Sequence, residues 1–169
     1  MTNKIIGIQG DKLDKINISS DTSIFLAHEA QKLGYKIFYY TPSNLSIIKN
    51  KTYANGVFVK LNYERKKFYK IYKKQKIDVE NLKFILIRQD PPFNSEYLIT
   101  TLILDNLKKT RVINNPVAIR NVSEKLYSKK FTKYMPDTIF SNNIEEVKKF
   151  YKQNKTIIMK PINLSLIHI

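Results

Sequence analysis

Ile5-Ile6-Gly7-Ile8-Gln9-Gly10, a polar stretch to Ser20, a helical run from Asp21 to Leu33, then Gly34 and Tyr35-Lys36-Ile37-Phe38-Tyr39-Tyr40: this stretch decides the fold. The three isoleucines end at Gly10, the mark of a strand running into a loop. Ile24, Phe25, Ala27 and Ala30 recur on one side of a predicted helix. Ser20 or Asp21 can cap it and Gly34 stops it. Tyr35–Tyr40 alternates into a second strand. Strand, loop, helix, glycine, strand is a right-handed βαβ unit feeding a parallel sheet.

Working outward, Ser46–Leu61 reads as two antiparallel strands with a turn at Asn50-Lys51 or Asn55-Gly56. Phe84–Ile87 is a continuous apolar run, as in a strand buried on both faces. It leaves into Arg88-Gln89-Asp90-Pro91-Pro92-Phe93, where the prolines forbid ladder pairing. Asn94 can cap a helix whose predicted buried stripe is Leu98, Ile99, Leu102, Ile103 and Leu107. Arg111–Asn114 is a further strand. Beyond it, Ser123 can cap a helix with Leu126, Tyr127 and Phe131. Thr138–Phe140 reads as a short strand. Asn143 with Glu146 resembles a capping box opening a helix with Val147, Phe150 and Tyr151 inside. Thr156–Met159 reads as a strand entering Lys160-Pro161. The order predicts an open α/β sheet to about residue 121, with ligands at the carboxyl ends of its strands. Gly10–Ser20, Arg88–Phe93 and Asn114–Arg120 are the segments placed there. A dinucleotide fingerprint and a P-loop are both missing from the sequence.

The 169 residues are 43% hydrophobic and 26% charged, ordinary for a globular protein. No cysteine is present, which excludes disulfides, thiolate metal sites and a cysteine nucleophile. His28 and His168 are the only histidines, too few for a His-rich metal site. No apolar run approaches the ~18 residues of a membrane span, and no signal peptide is read at the start, so a cytoplasmic protein is expected. The net charge is +16 and the pI about 9.8. Lysine supplies 26 of the 30 basic residues and travels with 24 isoleucines and 16 asparagines, the mark of AT-rich coding DNA. A solvated lysine coat therefore outweighs a nucleic-acid face. The densest cluster, residues 65–76, interleaves Lys66, Lys67, Lys70, Lys73, Lys74 and Lys76 with Phe68, Tyr69 and Tyr72. It suits an amphipathic helix, or alternatively a basic module binding single strands.

Ile87-Arg88-Gln89-Asp90-Pro91-Pro92-Phe93 resembles the [MI]-R-x-D-P-P-F segment of prokaryotic glutathione synthetases. Five further segments follow the same family in order. Glu29–Tyr35 resembles E-A-Q-x-x-G-Y, and Asn114–Arg120 resembles V-N-x-P-x-x-[IL]-R. Ser123–Leu126 resembles N-E-K-L, Ile158–Pro161 resembles I-[LV]-K-P, and Asn17 with the Asp21 helix is similar to the N-terminal loop and helix. The resemblance implies a pre-ATP-grasp domain, an open and mostly parallel sheet with flanking helices, over residues 1–121. The beginning of an ATP-grasp domain would occupy 122–163, and 164–169 would be an aberrant tail. It implies ATP- and Mg²⁺-dependent joining of γ-glutamylcysteine to glycine through an acyl phosphate, in a homotetramer. Another ATP-grasp carboxylate–amine ligase is the alternative. Lys125 and Lys160 match the family's two phosphate-contacting lysines, and Asn17, Arg88 and Asp90 are candidates for substrate binding. Arg120 is expected to be structural.

After Lys160-Pro161 the family's D-G-x-G-G loop is not found, and no glycine follows Gly56. Backbone amides of such a loop cradle phosphate. A truncated or frame-shifted reading of a longer gene is therefore expected, with no catalytic or metal-ligating residue in this piece.

Overall fold

The computed structural model describes residues 4–62, 67–123 and 125–162. The chain divides into two compact units, Met1–Arg120 and Asn121–Ile169. Arg65, Lys66 and the predicted 164–169 tail lie outside the described residues.

The first unit is a seven-stranded mixed sheet in the order β3-β4-β2-β1-β6-β7, with β5 also on β4. Its core is parallel: β1 (Ile5–Gln9) lies between β2 (Lys36–Tyr40) and β6 (Phe84–Ile87), and β7 (Arg111–Ile113) follows β6. The antiparallel part is built on the long β4 (Lys51–Leu61). One edge of β4 pairs with β5 (Tyr69–Asp78). The other is shared by β3 (Leu45–Ile48) and β2.

Period-two alternation fills both faces. Ile6, Ile8, Ile37, Tyr39, Val59 and Leu61 form one buried cluster with Ile24 and Ala27 of α1 (Thr22–Lys32). Phe38, Tyr40, Phe58, Ile85 and Ile87 form the other with Leu104 of α2 (Ser95–Asp105). Asp21 caps α1, its Oδ1 accepting from the Ile24 N–H at 2.8 Å. Gly34 ends it at φ +83°, a conformation that a side chain would strain. Gln31, from the E-A-Q segment, clamps the far end of β4. Its amide donates to the Leu61 carbonyl at 3.0 Å and accepts the Leu61 N–H at 2.9 Å.

Several expectations are corrected. The β3–β4 turn is Lys49-Asn50, both at positive φ (48° and 60°), as two-residue hairpin loops of this twist require. Asn55-Gly56 lies inside β4 instead. Gly56 is there for packing, because a Cβ would stand 2.5 Å from the Phe38 ring and 2.6 Å from the Tyr39 carbonyl. The basic-aromatic cluster is not a helix. Its described part enters β5, whose lysines stud the rim of the sheet, where charge discourages further strand pairing. A register shift at Phe58/Val59 makes Tyr72 the extra residue of a bulge. Phe25 is half exposed rather than buried with Ile24. On α2 the expected stripe is reversed: Thr100, Thr101 and Leu104 are buried while Leu98, Ile99 and Leu102 are exposed.

The second unit holds a 3-10 segment at Leu126–Tyr134 and α4 (Ile144–Asn154), and α3 (Pro116–Asn121) precedes it. The segment after Ser123 is thus 3-10 and kinked at Phe131, not an α-helix. Asn143 caps α4 through the Glu145 N–H at 2.9 Å. Glu146 does not close the box; it pairs with Lys149 at 2.8 Å. Tyr151 is exposed. Neither Thr138–Phe140 nor Thr156–Met159 forms a strand, for no described segment offers either a ladder to join, and Ile158 is 81% exposed. No described residue of this unit is fully buried.

Candidate functional site at the carboxyl ends of the parallel strands

The ladder continues past the strands at their carboxyl ends. The Gly10 N–H donates to the Tyr40 carbonyl at 3.1 Å, and the Arg88 N–H to the Gln9 carbonyl at 2.7 Å. These bonds place the β1 and β6 exit loops side by side. Beneath them the buried Gln9 amide donates to the Gln89 side-chain oxygen.

Arg88 reaches across to the first turn of α1. Its Nε donates to Ser23 Oγ at 3.0 Å and an Nη to Thr22 Oγ1 at 2.7 Å. Among the described residues it makes no ion pair with Asp90. The loop is tied instead by the Asp90 N–H, which donates to Asp11 Oδ2 at 2.9 Å. Asp11 is in turn held by its carbonyl, which accepts from the Tyr39 hydroxyl at 2.7 Å. Two hydroxyls orient the guanidinium, and among the described residues no carboxylate contacts it.

Charge interactions show which groups share this space. Burial, then Asp11 and Asp21, push the Asp90 carboxyl above the usual aspartate range, and Arg88 pulls it partly back. Burial, then the same two aspartates and Asp90, raise the Tyr39 phenol. The Tyr97 phenol is also raised by burial; Arg88 opposes this, and Asp90 and Asp11 add to it. Tyr97 stands on the first turn of α2, its ring 5.0 Å from that of Phe93. The result is one cationic group, Arg88, beside three carboxylates and two phenols at the end of the sheet.

Of the residues singled out in the sequence, Arg88 and Asp90 are brought together here. Asn17 is exposed and serves its own loop, its Oδ1 accepting from the Ser19 N–H at 3.2 Å and the Ser19 hydroxyl at 2.7 Å. Arg120 is bound to Asp105 at 2.6 Å, with its side chain largely buried. Tyr39, Tyr97 and Asp11 were missed. Asp11 lies in the loop after β1 that the sheet topology singles out, and the two tyrosines read equally well as core residues. A wider concavity of about 660 Å³ lies beside this cluster, not on it. It shares Tyr39 but is lined by Lys12, Val57, Ile71 and Lys74 rather than by Arg88, Asp90 or Tyr97.

In the second unit, Lys125 Nζ donates to the Ile162 carbonyl at 3.4 Å, which brings it to the segment that carries Lys160. Lys160 is exposed. Among the described residues no cluster of three His, Cys, Asp or Glu could hold a metal ion. No described helix is long and apolar enough to cross a membrane.

An open α/β domain with a cluster of charged side chains at its strand ends, followed by a small helical unit, is the class that fold and site define. The sequence model of the prokaryotic glutathione synthetase N-terminal domain matches residues 5–120, and that of the ATP-grasp domain of the same enzymes matches 124–165. The chain belongs to the prokaryotic glutathione synthetase family. It is 37% identical over 158 residues to the glutathione synthetase of Mesorhizobium japonicum, covering 93% of this chain and 50% of that protein. To the enzymes of Buchnera aphidicola subsp. Acyrthosiphon pisum and Salmonella typhimurium it is 35% and 33% identical, covering 94% of this chain in each case and 50% and 51% of theirs. The chain thus spans about half the length of the curated relatives it matches.

Proposed function

We propose that the chain is the γ-glutamylcysteine-binding half of a cytoplasmic glutathione synthetase, an enzyme joining that dipeptide to glycine with ATP and Mg²⁺ through an acyl phosphate. Residues 1–121 are its pre-ATP-grasp domain and 122–163 the beginning of its ATP-grasp domain. The observation that carries the substrate reading is Arg88, held by two neutral hydroxyls beside Asp11, Asp21 and Asp90. The γ-glutamyl head is a zwitterion, with an α-carboxylate and an α-ammonium on one carbon. Arg88 suits the carboxylate through its planar fork of donors, and Asp90 with Asp11 suits the ammonium. Asn17 stands on the loop that leads into the α1 cap and shapes the rim.

ATP supplies the phosphoryl group that activates the carboxylate for attack by the glycine amine. Lys125 and Lys160 are compact cations suited to the nucleotide's phosphates. The Mg²⁺ ligands of the enzyme are proposed to lie beyond these 169 residues. A homo-oligomer, a tetramer as the resemblance implies, completes the reading.

Two lysines without a glycine-rich cradle leave the phosphates short of aligned backbone donors. The 169-residue chain by itself is therefore expected to form no glutathione from γ-glutamylcysteine, glycine, ATP and Mg²⁺ in a coupled ADP-release assay confirmed by chromatography of the product. ATP-dependent appearance of glutathione above a no-protein control would overturn the assignment of this chain as one part of the enzyme.

A further inference from the structure

The antiparallel ribbon of β4 and β5 builds a hollow that the proposed function leaves unused. It encloses about 510 Å³, the size of a small-molecule pocket. Its lining comes from Phe58 of β4, from the second half of β5, from Ile5 and Lys36 at the amino ends of β1 and β2, and from Leu82 ahead of β6. The Arg88 cluster stands at the carboxyl ends of the same parallel strands, so the two places lie at opposite ends of the sheet.

The floor of the hollow is apolar. Phe58 and Leu82 are buried core residues, and Ile5 and Ile77 pack against the same cluster. The wall is aromatic because of the bulge. Tyr72 is left without a partner on β4, since Ile71 stands opposite Val59 and Lys73 opposite Phe58. A bulge re-aims a side chain, and here the Tyr72 ring comes to 6.0 Å from that of Phe58. Tyr72 is still 55% exposed, so much of the side chain is open to a further contact. A planar ring entering the hollow would extend this aromatic pair.

The rim is cationic. Lys36, Lys73 and Lys76 line it, and among the described residues none of the three is ion-paired. Lys76 Nζ lies 5.0 Å from the centre of the Tyr53 ring, a contact that leaves its charge in place. Asp78 is the one carboxylate among the described lining residues, and it is engaged: its Oδ1 accepts the Glu80 N–H at 3.0 Å. Three ammonium groups against one occupied carboxylate select an anion, and lysine suits the compact charge of a phosphate. Lysines that only kept a sheet edge from pairing would need no ring beside them and no hollow beneath them.

We propose that this hollow binds an aromatic phosphate: a planar ring of nucleobase size against Tyr72, above the Phe58–Leu82 floor, with its phosphate on Lys36, Lys73 and Lys76. The site shares no residue with the Arg88 cluster, nor with Lys125 and Lys160, and does not depend on the proposed ligase reading.

The test is a titration of the ¹⁵N-labelled 169-residue chain followed by NMR at about 0.15 M salt, with AMP, UMP, adenosine and inorganic phosphate as separate probes. Saturable shifts at Lys36, Phe58, Tyr72, Lys73 and Lys76 are expected with at least one nucleotide, and adenosine and inorganic phosphate should each bind at least tenfold more weakly. Lys73→Glu should weaken the nucleotide at least tenfold and Tyr72→Ala at least fivefold. Lys70→Glu makes the same charge change on the same strand but outside the hollow, and should change the affinity less than about threefold. All three side chains are exposed, so the variants should keep folded spectra. Equal losses from Lys70→Glu and Lys73→Glu, with none from Tyr72→Ala, would show a lysine coat attracting anions and overturn the site. Adenosine or inorganic phosphate binding as tightly as the nucleotide would overturn the pairing of ring and charge. Shifts confined to Lys125 and Lys160, or no saturable shift with either nucleotide, would overturn the proposal outright.

Discussion

Phe38→Ala lowers the stability of the Met1–Arg120 unit by about 4 kcal/mol, measured by urea unfolding followed by circular dichroism. Phe38 is fully buried in the middle of β2, between β1 and β4. Its ring stands 5.3 Å from that of Phe58 and 5.9 Å from that of Tyr40. Truncation removes those contacts and leaves a cavity against Gly56, whose missing side chain the Phe38 ring now fills. A loss below about 1 kcal/mol would mean that this side of the sheet repacks freely and is not the well-ordered core described.

The second large effect is expected at Glu80, and it depends on pH. Glu80 lies in the turn between β5 and β6, and its carboxylate gathers the loop before β7. The Lys108 N–H donates to it at 2.7 Å, and the Lys109 and Thr110 N–H groups at 2.9 Å each. Burial pushes this carboxyl up, but the three backbone donors and the Lys109 charge outweigh it, and its pKa is lowered overall. A carboxylate whose folded pKa is depressed stabilises the fold above its unfolded value near 4.3, and that contribution is lost as pH falls through the folded pKa. Glu80→Ala should cost about 2 kcal/mol at pH 7, discounted for partial exposure. The deficit should shrink as the parent is titrated below the ordinary glutamate range. A deficit that is constant from neutral to acid pH would show that the side chain acts by packing and not through its charge.

Much of the first unit was legible in the sequence. Where both faces of a strand are buried, as in β1 and β2, the apolar run leaves few alternatives; β6 was read the same way, although its Phe84 and Leu86 are only half-buried. Asp21, Gly34 and Asn94 mark their helix ends through local chemistry. The failures have a common physical origin. Lysines at 70, 73, 74 and 76 satisfy helical spacing as well as an exposed strand, and only the partner β4 decides between them. On α2 the leucines and isoleucines look like a core stripe because hydropathy takes no account of a threonine hydroxyl satisfied by its own helix. Arg88 could be placed at a strand exit from the sequence. Its partners Thr22 and Ser23 could not, since they lie 66 and 65 residues away and meet it only through the parallel register of β1 and β6.

The most direct test of the central claim, that the Arg88 cluster at the carboxyl end of this sheet holds γ-glutamylcysteine, is a titration of the ¹⁵N-labelled chain with that dipeptide followed by NMR. Saturable shifts confined to Asp11, Thr22, Ser23, Arg88, Asp90 and Tyr97 are predicted, with Arg88→Ala weakening binding at least tenfold, about 1.4 kcal/mol, while its spectrum stays that of a folded protein. Absence of saturable shifts, or an affinity unchanged by Arg88→Ala, would contradict the claim.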